Sequence, residues 1–310
     1  MYNTGKLLER FVNQIEQILL PQGITVLPND KVYNDDGVQI AEFDIEIEGK
    51  VGTTKFKWLI ECRDRPTQGP APGAWIEQLV GRRDRFNFDK IIAVSTTGFA
   101  EGAKDYAKES GIEIRTVTET NVENIHDWFL VDKMRLYKRG GLLKHARLII
   151  DENESEETRN ALRDKLNENN ANFKLLLSTE TGDHISVSTA FVLAATGIDG
   201  LYDELIPQGG SKTVKLRAIY TNDSSYYVVE TKQGNVRIRE ILFDGEIKVT
   251  IEEIPIATIK KYSNISNNED IATTASFNFN VDGKKLEISF NNIADTGETH
   301  VLLSASNIQV

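Results

Sequence analysis

The chain has 310 residues, a hydrophobic fraction of 40% and a net charge of -11, which is long enough for two or three domains with ordinary cores. No run approaches the ~18 apolar residues that a membrane span needs, and the start Met1-Tyr2-Asn3-Thr4-Gly5-Lys6 lacks the apolar stretch of a signal peptide. Cys62, the single cysteine, excludes an intramolecular disulfide and a cysteine-based zinc site. His126, His145, His184 and His300 show no ligand spacing, so zinc hydrolase chemistry is not expected and a reducing, cytoplasmic setting is. The acidity is uneven: residues 1–150 hold 21 Lys/Arg against 22 Asp/Glu, and residues 151–310 hold 15 against 25. The first half can offer local positive clusters to a phosphate backbone, whereas the acidic second half is a poor match for DNA.

Residues 3–19 place Leu7, Leu8, Phe11, Ile15 and Ile18 at helical spacing, and Pro21-Gln22-Gly23 stops the helix. Two extended segments, 24–33 and 38–48, flank the turn Asn34-Asp35-Asp36-Gly37. In the second, Phe43, Ile45 and Ile47 alternate with Glu42, Asp44, Glu46 and Glu48, and the last two are expected to be solvated. A third strand, Lys55 to Arg63, sets Phe56, Trp58, Ile60 and Cys62 against Lys57, Leu59, Glu61 and Arg63. The loop Pro66 to Gly73 leads to a helix over 74–87, with Trp75 as a core anchor. Ile91-Ile92-Ala93-Val94-Ser95 follows as a strand of the kind buried on both faces. A turn over Ser95 to Phe99 with a capping hydroxyl, a helix over 99–110 and a strand from Gly111 to Val117 complete the order αβββαβαβ, an α/β domain with a mixed sheet.

Beyond residue 120 the pattern changes. The basic run Lys133, Arg135, Lys138, Arg139 ends in Gly140-Gly141, a hinge signal, and reads as linker surface. Residues 146–208 read as a small α/β region: a strand from Ala146 to Ile150, a helix over 155–169, and apolar strands over 173–178 and 185–196. From Lys212 onward, short alternating strands separated by Gln233-Gly234, Asp244-Gly245 and Asp282-Gly283 indicate an all-β, sandwich-like accessory domain. Tyr226, Tyr227 and Phe243 are expected in its core or at an interface. The expected boundaries are 1–120 for the first domain, 121–145 for a linker, 146–208 for the α/β region and 209–310 for the sandwich.

Chemistry concentrates in the first domain. Asp44 and Glu61 lie on polar faces of strands that a hairpin would pair, which brings such carboxylates about 5 Å apart. Two carboxylates that close repel each other, and a hard divalent cation resolves the conflict while leaving places for water and phosphate. The Cys62 backbone carbonyl is a natural further ligand, and Arg63, on the face of Glu61, can reach the same phosphate. Otherwise Cys62 reads as a small core hydrophobe. Arg82, Arg83 and Arg85 are either a phosphate-contact ridge or a solvated helix face, and Arg115 is a further candidate for the DNA side.

Three ordered stretches then carry a resemblance: Leu59-Ile60-Glu61-Cys62-Arg63-Asp64-Arg65, Ala74-Trp75-Ile76-Glu77-Gln78-Leu79, and Ala93 to Ala103. Together they resemble the catalytic domain of Mrr-type restriction endonucleases, of the PD-(D/E)XK nuclease superfamily, over residues 5 to 117. The resemblance implies a restriction-endonuclease-like fold and a Mg²⁺-dependent DNA endonuclease, with Mn²⁺ as substitute and a role in anti-phage defence. It implies Asp44 and Glu61 as metal ligands, Gln78 with Glu77 beside the scissile phosphate, Glu9 as a helix-one acid, and DNA contacts from Arg63, Arg65, Arg82 and Arg83.

Two positions depart from the family pattern. Phe43 stands where the superfamily name has proline, and Arg63 where the family has lysine. Arginine stays protonated and cannot act as a base, so a catalytically weakened DNA-binding or interaction protein is the alternative reading, and a repair or recombination nuclease a further one. The acidic C-terminal region is expected to serve self-association, a protein partner or ligand sensing.

Overall fold

The computed structural model describes residues 4–281 and 283–305; Asp282 of the expected Asp282-Gly283 turn, and Met1, Tyr2 and Asn3, lie outside the described residues. The chain forms two compact units, Met1–Met134 with Ile254–Val310, and Arg135–Glu253. No helix among the described residues is long and apolar enough to cross a membrane.

The first unit starts with α1 (Thr4–Leu19), which buries Leu8, Phe11, Val12 and Ile15, three and four residues apart. Then come β1 (Thr25–Tyr33), β2 (Gln39–Val51), β3 (Thr54–Arg63), α2 (Gly73–Phe86), β4 (Lys90–Ser95), α3 (Glu101–Glu109) and β5 (Glu113–Glu119), in the expected order αβββαβαβ. β1, β2 and β3 pair antiparallel, and β4 and β5 continue the sheet parallel to β3. β4 is buried on both faces because neighbouring residues alternate sides. Ile92 and Val94 pack with α1, Ile45, Ile47 and Ile60, while Ile91 and Ala93 pack with Phe43, Leu59 and the α2 and α3 residues Ile76, Leu79, Ala103 and Ala107. Each fully buried Ile or Leu of this set contributes about 1.5–3 kcal/mol.

Two expectations for β2 are corrected. Phe43 does not share a cluster with Ile45 and Ile47, and instead meets Phe86 and Phe88 edge to face with ring centres 5.0 Å apart. Glu46, expected in solvent, is 2% exposed and bonds Lys57 Nζ at 2.8 Å. Alternation in a strand marks sides, not which side a helix later covers.

The second unit contains β6 (Lys133–Ile149), α4 (Glu156–Asn167), β7 (Leu176–Ser178), β8 (His184–Ile185), α5 (Val187–Thr196), β9 (Gly210–Ile219), β10 (Tyr227–Thr231), β11 (Gly234–Ile238) and β12 (Glu240–Pro255). These build a three-stranded sheet, β6-β12-β9, and a four-stranded sheet, β11-β10-β7-β8. Phe191, Phe243, Tyr202 and Ile247 anchor its core. Gly141 and Gly245 lie under the Phe191 ring, where a Cβ would stand 2.7 and 2.6 Å from it. Residues 187–196 form helix α5 where a strand was expected; Ser186 Oγ accepts the Thr189 N–H at 3.0 Å and caps it. The short apolar run from Ala190 to Ala195 carries no periodicity to tell the two apart. Residues 133–145, expected as linker, belong to β6, whose Arg135 and Lys138 pair with Glu253 and Glu252.

The chain then adds β13 (Thr258–Asn264), β14 (Glu269–Val281), β15 (Lys284–Ile293) and β16 (Thr299–Ala305). These were expected in a separate sandwich. Instead β13 pairs antiparallel with β5, giving one nine-stranded sheet, β1-β2-β3-β4-β5-β13-β14-β15-β16. A buried network marks the join. Arg115 Nη1 donates to Glu16 Oε1 at 2.6 Å and to the Tyr262 hydroxyl at 2.9 Å, Tyr262 donates to Glu16 at 3.1 Å, and Arg115 Nε donates to Glu113 at 2.6 Å. These partners hold the Arg115 guanidinium well above its ordinary pKa despite burial, and they occupy its donors inside the core, not on a DNA face.

Candidate active site

The site forms at the C-terminal end of β3, between α1 and α2. The β2–β3 ladder begins at the Ile45–Ile60 pair. Asp44 stands one residue beyond it, and its Oδ2 accepts the Cys62 N–H at 2.7 Å, taking the place of a ladder carbonyl. Glu61, in parallel register with Ala93 on β4, is 7% exposed. Carboxyl ends of parallel strands leave room for ligands, and here they line a cavity of about 860 Å³ with Gly5, Asp44, Glu61, Cys62, Arg63, Asp64, Arg65, Gln68, Pro72, Ala74, Trp75, Gln78 and Arg82.

The loop after β3 is pinned so that its arginines face this space. Thr96 donates to Asp64 Oδ1 at 2.7 Å through its hydroxyl and to the Arg63 carbonyl at 3.2 Å through its amide. Thr97 donates to the Gly69 carbonyl at 2.8 Å. Arg65 reaches Gln68 Oε1 at 3.1 Å and Arg63 reaches the same oxygen at 3.5 Å, while Arg63 Nη1 is shielded and has no partner. Ser95 Oγ accepts the Thr97 N–H at 3.2 Å and shapes the turn; the N-cap of α3 is Ala100, without the side-chain cap expected there. Trp75 is half-buried and stacks on Phe99 with centres 6.1 Å apart, so it is both anchor and cavity wall.

The electrostatics are those of crowded carboxylates. Burial first, and then the charge of Asp44, push Glu61 up to about 8, outweighing its bond to Arg82. Burial and Asp44 raise Glu9 to about 7, which places this helix-one acid within electrostatic reach of the pair. Asp44 is raised by burial, against the pull of the Cys62 N–H, and burial pushes the Cys62 thiol up as well, making it an inert wall residue.

Most of the expected residues converge: Asp44, Glu61, Cys62, Arg63, Arg65, Gln78 and Arg82 line one cavity. Two do not. Glu77 is exposed and outside the lining, and Arg83 Nη1 donates to the Ser110 carbonyl at 2.7 Å. Residues one apart on a helix point about 100° apart, so Gln78 and Arg82, four apart, share the face that these two lack. The sequence reading missed that Arg82 bonds Glu61 Oε1 and the Glu42 carbonyl; the i, i+4 spacing from Gln78 was the available signal.

Among the described residues no three or more His, Cys, Asp or Glu side chains gather as a metal cage. Mg²⁺ needs no such cage: one or two carboxylates suffice, with waters and phosphate completing its shell. Glu61, whose carboxyl the Asp44 charge raises, and Asp44 itself, together with the Cys62 carbonyl, fit that requirement.

Residues 7–125 match the Mrr catalytic-domain family model, described as a restriction endonuclease. No curated protein matches the sequence. The crystal structure of a protein of unknown function, AF1548, aligns at 20% identity over 35% of this chain and 56% of that one, with a TM-score of 0.29; the aligned part thus spans little more than half of that chain. Residues 7–125, which carry α1 to β5 and every wall of the cavity but Gly5, form a domain of the Mrr restriction-endonuclease family.

Proposed function

We propose that the chain is a DNA endonuclease that uses Mg²⁺, or Mn²⁺ in its place, and serves in the cytoplasm as a defence nuclease against foreign DNA. The observation that carries this reading is the convergence of Asp44 and Glu61 with Arg63, Arg65 and Gln78 on one cavity. Asp44, Glu61 and the Cys62 carbonyl would hold the cation, which would make a bound water easier to deprotonate and would neutralise charge at the scissile phosphate. Arg63 and Arg65 bind the phosphate through charge-assisted hydrogen bonds, and the Gln78 amide orients the attacking water. Arg63 takes no proton at any working pH, so the residues that can accept one are the carboxylates.

Plasmid incubated with Mg²⁺ or Mn²⁺ is expected to be nicked and linearised by wild type and left intact by Asp44→Ala. Equal cleavage by the variant would remove Asp44 from the site. Arg63 supports a second reading, a DNA-binding relative whose cutting is dormant. Under it, wild type binds duplex without cutting, and Arg63→Lys gains cleavage that Asp44→Ala abolishes.

A further inference from the structure

Arg82 is the cation nearest the carboxylate pair. Its Nη1 bonds both Glu61 Oε1 and the Glu42 carbonyl, the latter at 3.2 Å. The Glu61 side chain is 9% exposed and that of Arg82 37%, so a guanidinium reaches into the site from a stem that lines open space. Such a side chain can withdraw by rotamer change while α2 stays in place. Asp44, by contrast, is tied to the backbone N–H of Cys62. The groups facing Arg82 are thus the acids Glu61, Asp44 and Glu42, with Arg63 and Arg65 across the cavity.

We propose that Arg82 is an internal counter-cation that occupies Glu61 in the free protein and is drawn off by a DNA phosphate, so that DNA and the divalent cation bind cooperatively. This rests on reading Asp44 and Glu61 as the cation site. A divalent cation on Glu61 meets Arg82 at a separation where like charges repel strongly. A phosphate in the cavity offers the guanidinium two oxygens in the geometry that it favours. Transfer of Arg82 from Glu61 to phosphate therefore frees a ligand atom and removes the repulsion together. By linkage, the cation then raises DNA affinity by the same factor.

The test is calorimetric Mn²⁺ titration of the full chain at pH 8.5, where protons compete least for Glu61, with and without a hydrolysis-resistant phosphorothioate duplex. In wild type the duplex is expected to tighten Mn²⁺ binding about 10-fold, within the ordinary range of such coupling. In Arg82→Ala the gain falls below about two-fold, and Mn²⁺ alone binds at least as tightly as to wild type. Arg82→Lys, which keeps the charge but not the fork, retains part of the gain. An undiminished gain in Arg82→Ala overturns the proposal, as does Mn²⁺ binding weakened in that variant and restored in Arg82→Lys, which would make Arg82 a positioning residue for Glu61. Where Asp44→Ala also abolishes Mn²⁺ binding, the metal site stands and the Arg82 proposal alone falls. No Mn²⁺ binding in wild type overturns both.

Discussion

Two arginine–glutamate pairs join strands of the same sheet to the helices that cover it, and they differ in how completely they are satisfied. Arg115 lies in the core with Glu16, Glu113 and Tyr262 around it, and each distance is an ordinary hydrogen bond. Arg82 and Glu61 lie at a cavity wall, where Glu61 remains raised to about 8 and the neighbouring Arg63 has an unpartnered Nη1. A saturated buried network specifies the fold, while an unsaturated one at a cavity holds interactions in reserve for a ligand. The contrast teaches that buried charge by itself does not mark a site; here the mark is unmet bonding capacity in charged groups that line a cavity.

The comparison breaks most visibly at Asp44. Asp44→Ala is expected to lower cleavage by roughly 10³-fold or more, the several kcal/mol that a cation contributes to the transition state, while urea unfolding changes little. Plasmid assays and denaturation on one preparation check both halves. Arg115→Ala should do the reverse. It leaves the Glu16 charge buried with the Tyr262 hydroxyl but without its guanidinium, costing about 3 kcal/mol of stability, and metal binding by the remaining folded protein should be unchanged. Destabilisation under about 0.5 kcal/mol would mean that the core network is ornamental.

Arg63→Ala sharpens the contrast at smaller scale. On the proposed phosphate role of Arg63 it should weaken DNA binding by roughly 1.5–3 kcal/mol, lower the slope of log affinity against log salt by about 1, and leave the melting temperature near wild type. An unchanged slope in fluorescence anisotropy would take Arg63 off the DNA. A further effect is in pH. The folded-state pKa of Glu61 lies above its unfolded value of 4.5, so cation-free protein binds the extra proton in the folded state. Its contribution is fully present below pH 4.5 and is lost as pH rises toward about 8. Glu61→Gln or saturating Mg²⁺ should flatten that loss. A slope that survives in Glu61→Gln assigns it to another group.

The N-terminal elements and most of the cavity lining were legible because they are local: alternation in β2 and β3, the apolar run of β4, and three motif stretches in order. What was not legible depends on distant partners. Nothing in β13 to β16 says that they extend the β5 edge, because alternation records that a strand has two faces and not which sheet receives it. Arg115 looked like any exposed basic residue until Tyr262 and Glu16 closed over it. Helix α5 read as strand because its exposed side carries apolar residues too, Leu193 among them, so the run from Ala190 to Ala195 shows no period in sequence. Glu77 and Gln78 were inseparable in sequence, and helix geometry alone sends one into the cavity and the other to solvent.

The late arrival of β13 bears on how the protein is made. Arg115 and Tyr262 are 147 residues apart. At roughly 5–20 residues per second of synthesis, on the order of ten to thirty seconds pass between them. During that interval the carboxylates and arginines of the cavity have all been synthesised, while Glu16 and Arg115 lack their third partner and the β5 edge has no neighbour. A chain that ends before Tyr262 therefore holds every residue of the cavity but lacks the strand that pairs with β5 and the hydroxyl that completes the Glu16–Arg115 network.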